Sequence, residues 1–345
     1  MKKYSLIIFA AFLALTASCS SSDDSSPIDK PVIDNPSTPN PKPDPKPENN
    51  KGFNYIPVDQ NQRAYYKDID FRKRGTDLKN DLHELLENTH HQLNYTPDIW
   101  RASEITDVNP DNPNEVILIY GWPTNREKDI ITKRTIDMDM RNHKGLDDDR
   151  RKNYWEREHV FAKSLAFPKL VTNTSDYNYD YEKPEGLTAG VDAHNLRPIN
   201  GEWNYIRSNK KFAEGSGNSG PVAGGWFPGE EWKGDVARMM MYMYVRYGEQ
   251  CIPNRIGNGG TIINPQTGER DGMVSIFMKW NAEDPVSEIE KRRNEHHGDP
   301  RNSYSQGNRN PFIDNPHLAN LIWGTHNDKK LNAKNIWTEV KPDQK

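Results

Sequence analysis

The chain has 345 residues, of which 33% are hydrophobic and 28% charged, and its formal net charge is −4. After residue 18 no apolar run approaches the roughly 20 residues of a membrane-spanning helix, which excludes a multi-span membrane protein. Aromatic residues along most of the chain exclude full disorder, and the acidic balance excludes a global basic field, so a polyanion site must be local. Cys19 and Cys251 are too few for a disulfide scaffold or a cysteine-based zinc site.

Residues 1–18 have the pattern of an export signal. A basic start precedes an apolar run, Leu6 to Leu15, and small residues then lead directly to Cys19. This arrangement resembles a bacterial lipobox, in which the cysteine becomes the new N-terminus and is acylated. We therefore expect a lipid anchor on Cys19 as the only membrane contact, and a cell-envelope location at the outer membrane or cell surface. A secreted or periplasmic protein without the lipid is the alternative.

Residues 19–52 have the composition of a spacer. A Ser/Asp run follows the cysteine, and it either resembles the surface-export signals of some Gram-negative lipoproteins or is a solvated tether. The stretch Pro27–Pro47 contains 8 of the 25 prolines, interleaved with polar residues that cannot bury apolar area. We expect a folded domain over residues 53–330 and a C-terminal tail over residues 331–345.

Hydrophobic spacing predicts several helices and one buried strand. Leucines recur at helical spacing in Thr76–Leu93, and the β-branched run Glu115–Tyr120 is typical of a buried strand. Three more helices are predicted, the first with a core stripe of Met and Tyr; they are Gly234–Tyr247, Val274–Trp280 and Pro285–Asn294.

Turn-rich loops are predicted over Asn173–Gly186 and Glu214–Gly225. The sequence contains no internal repeat, and nothing from residue 53 to 330 resembles a linker. We therefore predict a single α+β domain that is mostly helical.

Two histidine clusters could carry chemistry, but their sequence context argues against it. His83-Glu84 with His90 and His91 lacks the His-Glu-x-x-His spacing of a zinc site, because Glu87 stands where the second histidine is needed. We interpret this segment as a solvated helix. The stretch His296-His297-Gly298-Asp299 is predicted to be a polar loop and is a weaker candidate for a metal or phosphate role.

A third cluster contains the residue types that phosphodiester hydrolysis needs. With a single metal, the reaction needs a base for water, a hard cation on the scissile phosphate and a cationic group for the developing charge. Four basic and two acidic residues lie between Asp192 and Phe212, a small local excess of positive charge. The cluster consists of Trp155–Ser164, Asp192–Pro198 and Asn204–Phe212.

Each of these roles has a candidate in the third cluster. His159 can be the base, because an imidazole titrates near neutral pH. Glu158 and Asn204 offer the oxygen ligands that Mg²⁺ prefers, and waters and phosphate oxygens would complete its shell. Arg197 and Arg207 can bind phosphate in a bidentate manner. The Glu-His pair alone would be weak evidence, because such dipeptides occur by chance.

The three segments together resemble the bacterial endonuclease I family, whose members carry a ββα-metal (His-Me finger) motif. The similarity continues in the predicted long helix and in the C-terminal segments, and it covers roughly residues 60–325. The secreted, cysteine-poor nucleases of Gram-positive bacteria are the most similar branch. The residues that match the motif are Arg157-Glu158-His159-Val160 with Ser164, Asp192 to Pro198, and Asn204 with Arg207 and Asn209.

The resemblance implies a role for each matching residue. The family's metal ligands and general base fall on the same Glu158, Asn204 and His159 that the chemistry selects. The helix carrying Asn204 would place Arg207 at i+3, where it could reach phosphate or lock the motif. The resemblance also places three residues on the second strand of the motif, where they would orient the base or the metal ligands. These residues are Asp192, His194 and Asn195. Other residues expected to bind substrate or support the site are Arg157, Asn209 and Lys211.

Two departures limit what the resemblance implies. The disulfide-rich branch of the family has an arginine between its base and its second strand, thought to stabilise the transition state, but here no arginine occurs from Val160 to Val191. Arg197 is our substitute for that role, and a structural salt bridge to a neighbouring carboxylate is an equal alternative. The disulfides of that branch are absent as well.

The sequence therefore predicts a lipid-anchored, Mg²⁺-dependent endonuclease, with Mn²⁺ or Ca²⁺ as alternative cations. We expect a monomer that cleaves DNA, and RNA as a second substrate, without sequence preference. The family implies 5′-phosphate products. The alternative is a non-catalytic surface lipoprotein that binds a glycan or nucleic acid through aromatic loops, although the intact catalytic set favours an enzyme. The aromatic residues are Tyr177, Tyr179, Tyr181, Trp226, Phe227 and Trp232.

Overall fold

Helices carry most of the regular structure in the computed structural model, which describes residues 53–123, 127–142, 148–173 and 187–341. The helices are α1 (Gln60–Tyr65), α2 (Gly75–Thr89), α3 (Asp98–Thr106), α4 (Asp148–Arg151), α5 (Leu187–Gly190), α6 (Gly201–Arg207), α7 (Lys233–Tyr247), α8 (Ser275–Glu283), α9 (Glu288–Gly298), α10 (Pro311–Asp314) and α11 (Leu318–Trp323). The strands are β1 (Asn54–Ile56), β2 (Val108–Asn109), β3 (Asn112–Ile117), β4 (Thr135–Asp137), β5 (Trp155–His159), β6 (Leu196–Asn200), β7 (Gly220–Val222), β8 (Gly225–Phe227) and β9 (Thr338–Val340). The predicted α+β class is confirmed.

The strands form small antiparallel sheets rather than one large one. In the described residues, β2, β3 and β4 form a three-stranded sheet, while β1 pairs with β9, β5 with β6, and β7 with β8. The β5–β6 pair places Glu158 opposite Arg197 and His159 opposite Leu196. Helix α6 follows β6 directly and packs against β5, so the three segments that resemble the nuclease motif are adjacent in space.

Helix α7 lies at the centre of the core. Its residues from Gly234 to Arg246 are buried, which confirms that the Met and Tyr stripe is core. Helices α2 and α8 pack against it, and α2 contributes Leu78, Leu82 and Leu86 from one face. Gly248 ends α7 with φ 55°, a left-handed conformation that favours glycine.

The predicted strand over Glu115–Tyr120 is shifted towards the N-terminus in the structure. Strand β3 begins at Asn112, and its ladder with β4 ends at the Ile117–Thr135 pair. The chain then approaches β6, where the Ile119 N–H donates to the Pro198 carbonyl at 2.8 Å. The buried run predicted from sequence is therefore shared between two sheets.

Two predicted loops contain regular structure. The histidine stretch His296–Asp299 is the end of α9 and not a loop, because a capping box between Ser287 and Glu290 starts a helix that continues to Gly298. The loop predicted over Glu214–Gly225 contains β7. Of the third loop, Asn173–Gly186, residues 174–186 lie outside the described residues.

The chain beyond residue 330 belongs to the folded domain and is not a free tail as far as residue 341. Strand β9 pairs with β1, with Val340 opposite Asn54. Trp337 is buried against the rings of Tyr66 and Phe71, with centroid separations of 5.5 and 4.9 Å. This segment therefore packs over the buried rings that follow the first helix.

The N-terminal predictions lie outside the described residues. Residues 1–52, which include the export signal, Cys19 and the spacer, are not described. None of the helices in the described ranges is long and apolar enough to cross a bilayer. Cys251 is a free cysteine that is buried in the core.

Candidate active site

The candidate site is built on the unit of β5, β6 and α6. The Asn200 side chain at the end of β6 accepts hydrogen bonds from the backbone N–H groups of Glu202 and Trp203, at 2.9 and 3.2 Å. This cap allows the helix to begin immediately after the strand. Helix α6 consequently packs against both strands and brings Asn204 to the face of β5 that carries its glutamates.

Alternation along β5 separates two sets of side chains. Successive strand residues point to opposite faces, so Glu156 and Glu158 share one face, while Arg157 and His159 share the other. The first pair contacts α6. The second pair packs against the Tyr95 ring, which lies under the Arg157 guanidinium at 3.4 Å and stacks on the His159 ring at 5.8 Å between centroids.

His159 is held in one orientation and one tautomer. Its Nε2 lies 2.8 Å from the Gly190 carbonyl oxygen, and because a carbonyl only accepts, Nε2 must carry the proton. Nδ1 has no hydrogen-bond partner among the described residues. Burial lowers the pKa of His159 to about 3, so the ring is neutral at neutral pH and its Nδ1 carries no proton.

Glu158 is a buried carboxylate with a partly satisfied oxygen. The Oε1 atom makes no hydrogen bond of good geometry in the described structure, although the Arg207 Nε lies 3.3 Å away in an ion pair and the Tyr120 hydroxyl also acts on the carboxylate. Burial raises the pKa of Glu158 to about 7, against the opposing charge of Arg207. A buried carboxylate oxygen that has an ion pair but no complete hydrogen bond is only partly satisfied, so the residue fits a metal ligand.

Asn204 is oriented by a residue that the sequence analysis did not select. Its Nδ2 donates to Glu156 Oε2 at 2.9 Å, which leaves Oδ1 available as an oxygen ligand. Glu156 also accepts from Arg151 and Asn142, at 2.9 and 2.8 Å. The available signal was its i, i+2 spacing from Glu158, which puts both carboxylates on one strand face.

Histidine and acidic side chains elsewhere do not form an alternative metal centre in the described part of the chain. No group of three or more His, Cys, Asp or Glu side chains is placed there to bind a metal ion. His83 instead meets the Val245 carbonyl at 2.9 Å, and His296 meets the Ser303 carbonyl at 3.1 Å.

Arg197 takes the structural alternative, in a buried ion-pair network. Its Nε donates to Asp107 at 2.8 Å and its Nη1 to Asp235 at 3.3 Å. Asp107 is also paired with Arg293. All of these groups are buried, so the guanidinium does not face solvent, and we assign Arg197 no contact with a scissile phosphate.

Two other predicted arginines support the backbone around the site. Arg207 is buried and donates to the carbonyls of His159 and Val160, at 3.4 and 2.7 Å, so it locks the motif rather than facing a phosphate. Arg157 donates to the Tyr95 carbonyl and lies over the rings of Tyr95 and Trp100. Both side chains therefore fix the position of His159.

Asp192, His194 and Asn195 precede the second strand instead of lying on it. They form a short 3-10 turn that Asp192 caps, and β6 begins only at the next residue, Leu196. The Asn195 side chain accepts from the Phe161 N–H at 2.7 Å and donates to its carbonyl at 3.3 Å. Asn195 thus anchors the chain just after His159, whereas Asp192 and His194 face α7 and the C-terminal segments.

The buried histidines near this turn should make stability depend on pH. Burial lowers the pKa of His90 to about 4 and also lowers the pKa values of His194 and His297. Their folded pKa values lie below the unfolded value near 6.5, so below that pH the unfolded chain binds more protons than the folded one. The folded state is therefore fully stable above about pH 6.5 with respect to these groups and loses stability as the pH falls. Each group can add up to about 1.4 kcal/mol per pH unit.

His297→Leu isolates one part of this effect. Because other groups titrate in the same range, the measurement is the difference between wild type and variant in the free energy of unfolding by urea, at pH values between 5 and 6.5. We expect a shallower loss of stability on acidification in the variant. Equal slopes for the two proteins would contradict a neutral, buried His297.

Asn209 and Lys211 lie at the surface beyond α6. Asn209 Nδ2 donates to the Ser164 hydroxyl at 3.2 Å, and Lys211 Nζ donates to the Asn254 carbonyl at 3.1 Å. They join the segment after α6 to two other surface segments, one of which begins just after His159. Of all the predicted supporting residues, these two lie where a long substrate could meet them.

The aromatic residues that motivated a binding protein are not exposed where the structure describes them. Trp226, Phe227 and Trp232 are buried, and Trp226 packs edge-on against Trp203 at 4.9 Å. They form core and not a glycan surface. The tyrosines of that set, Tyr177, Tyr179 and Tyr181, lie outside the described residues.

Comparison with known proteins agrees with this geometry. The sequence model described as Endonuclease I matches residues 74–317, which span the β5–β6–α6 unit. The chain is also similar to an "Extracellular ribonuclease" of Bacillus amyloliquefaciens, at 35% identity over 274 residues (75% of this chain and 78% of the relative). A protein of the same description from Bacillus subtilis (strain 168) is 34% identical over 272 residues, with the same coverage of 75% and 78%.

Fold, site and sequence match together place the chain among the nucleases, a class of hydrolases. The chain belongs to the endonuclease I family.

Proposed function

We propose that the chain is a metal-dependent endonuclease that cleaves nucleic acid with little sequence preference. The observation that carries the proposal is the orientation of His159, whose Nε2–H meets the Gly190 carbonyl and whose Nδ1 is left as a proton acceptor. A neutral, oriented imidazole is what general-base activation of water needs. Membership of the endonuclease I family supplies the bond to be cleaved, a phosphodiester.

In the proposed reaction, Nδ1 of His159 accepts a proton from a water molecule that attacks phosphorus in line with the leaving 3′ oxygen. The Gly190 carbonyl stabilises the imidazolium that forms, because a charged donor makes the stronger hydrogen bond. Tyr95 stacks on the ring and limits its rotation. The products would carry 5′-phosphates.

Glu158 and Asn204 are the proposed ligands of a divalent cation, with Mg²⁺ preferred and Mn²⁺ or Ca²⁺ as alternatives. Carboxylate and amide oxygens suit hard cations, and the partly satisfied Glu158 Oε1 supports this assignment. When bound, such a cation would neutralise the charge that develops on the phosphate. Glu156 would act indirectly, because it orients the Asn204 amide.

Glu156→Ala should therefore weaken metal binding without removing a ligand. Loss of an orienting partner typically costs about 10- to 100-fold in metal affinity, so the Mg²⁺ concentration that gives half-maximal activity should rise by about that factor. Glu104→Ala is the matched control, because Glu104 is also a partly buried carboxylate that pairs with arginines, namely Arg101 and Arg141. An equal Mg²⁺ requirement in both variants would contradict the role of Glu156.

We also propose RNA as a substrate beside DNA, and a location outside the cytoplasm. Both similar Bacillus proteins are named extracellular ribonucleases, which supports RNA cleavage and export. Contacts to phosphate and sugar carry no base information, so sequence preference should be low. A lipid anchor on Cys19 and a monomeric state belong to the same proposal.

Nicking of supercoiled plasmid and cleavage of a single-stranded RNA test the proposed function. The protein should cut both in Mg²⁺, and EDTA should abolish the activity. If well-folded protein cuts neither substrate in Mg²⁺, Mn²⁺ or Ca²⁺, the enzyme proposal fails and a binding function becomes the better explanation.

A further inference from the structure

Phe167 is a surface aromatic on a rigid backbone. Its side chain is 74% exposed, more than any other large hydrophobic side chain in the described residues. Its N–H donates to the Gln250 carbonyl at 3.1 Å, and Gln250 Nε2 donates to the Pro168 carbonyl at 3.0 Å. The flanking Ala166 and Leu170 are buried. An exposed phenylalanine ring contributes little hydrophobic stabilisation, and this one does not pack against the core.

One arginine contacts this ring, and other basic residues lie in the same and the adjoining segments. The Arg255 guanidinium lies over the Phe167 ring at 5.6 Å, and Lys169 is exposed two residues further along. Lys211 contacts the Asn254 carbonyl, next to Arg255. We call Lys163, Phe167, Lys169, Lys211 and Arg255 the Phe167 surface.

One end of the Phe167 surface lies beside the candidate site. Lys163 lies four residues after His159, close enough for its charge to act on that ring. Asn209, beyond the end of α6, donates to Ser164 in the same segment. Phe167 lies eight positions after His159, so the two are less than about 29 Å apart even in a fully extended chain. The backbone bonds Leu165 to Ala162 and Leu170 to Lys163 shorten this further.

We propose that Phe167 stacks on a nucleobase of a single-stranded segment of the substrate, several nucleotides from the scissile bond. Lys163, Lys211 and Arg255 contact the intervening phosphates. This inference rests on the proposed function and names a subsite for it. Cationic grooves with aromatic platforms are the usual way to hold single strands, and stacking tolerates any base, as non-specific cleavage requires.

The surroundings favour nucleic acid over an apolar protein partner. Hydrophobic docking sites are contiguous apolar patches, whereas the exposed neighbours of Phe167 in its own segment are Ser164 and Lys169. The Arg255 guanidinium occupies one side of the ring, which leaves the other side for a planar, π-bearing ligand. A base attached to a phosphate chain matches both the ring and the charges.

Phe167→Leu tests the proposal, with Phe53→Leu as the matched control. Phe53 is also an exposed phenylalanine, at 39%, and it adjoins β1. Binding of a fluorescein-labelled single-stranded 12-mer is measured in a His159→Ala background, so that the ligand is not cleaved. Phe167→Leu should raise Kd by roughly 5- to 30-fold, the effect of losing one stacked base. Phe167→Tyr should restore binding.

Substrate length separates stacking from a general structural effect. A dinucleotide has no base beyond those that flank the scissile bond, so under this proposal Phe167→Leu should leave its cleavage unchanged, while KM for the 12-mer rises and kcat stays within about twofold. Equal Kd values for the Phe167→Leu and Phe53→Leu proteins would overturn the proposal. A wild-type protein that binds the 12-mer through Phe167 but cleaves nothing would instead refute the proposed enzyme.

Discussion

Replacing His159 with alanine should lower kcat by about 10²- to 10⁴-fold, which is the usual contribution of a positioned general base. The variant loses Nδ1, the proton acceptor that the Gly190 contact orients. Cleavage of single-stranded RNA in saturating Mg²⁺, at a pH near neutrality, measures the effect. The change should appear in kcat, because the imidazole acts on water and not on substrate binding.

His91→Ala is the control for this substitution. His91 is an exposed histidine whose backbone N–H meets the Gln306 carbonyl, and its replacement should leave kcat unchanged. Free imidazole added to the His159→Ala protein should restore part of the activity. A variant that keeps more than a tenth of the wild-type kcat would remove His159 from the role of base.

Replacing Arg197 with methionine should cost about 3 kcal/mol or more in stability, because breaking a buried ion pair leaves uncompensated charge. The Asp107 and Asp235 carboxylates would lose a shared partner, and both are buried. Urea unfolding measures the loss. The folded fraction of the variant should retain a kcat close to that of the wild type, since the guanidinium faces the interior.

Arg101→Met is the matched control, since Arg101 is itself exposed where it pairs with Glu104. Surface pairs contribute about 1 kcal/mol or less, so this variant should unfold near the wild-type midpoint. The transition-state role expected from the family resemblance predicts the opposite pattern for Arg197→Met, a large loss of kcat with stability unchanged. That result would restore Arg197 to the catalytic set.

The parts of the site that lie close in sequence were predictable, and those that depend on distant partners were not. Glu158 and His159 are adjacent, and Asn204 follows the second strand within a few residues, so a motif reveals all three. The fate of Arg197 depends on Asp107, 90 positions away, and on Asp235, 38 positions away. No local pattern distinguishes such an arginine from one that binds phosphate.

Some errors had a local signal that was available. The helix predicted over Pro285–Asn294 ends too early, because α9 continues to Gly298; histidines in a last turn followed by a glycine are a local signal for the later end. The role of Glu156 is intermediate, because its strand face can be predicted but its contact with Asn204 requires the packing of α6 on β5. Trp337 resembled a tail residue because its partners Tyr66 and Phe71 lie at the opposite end of the chain.

The β1–β9 pair brings the two ends of the described chain together. Asn54 is opposite Val340, and paired residues in antiparallel strands lie only about 5 Å apart. The backbone therefore ends close to where it begins in the described residues, and a short peptide could join these two positions. A circular permutant opened elsewhere would keep every contact of the core, and mechanical tension applied at residue 53 would be borne first by this three-residue ladder.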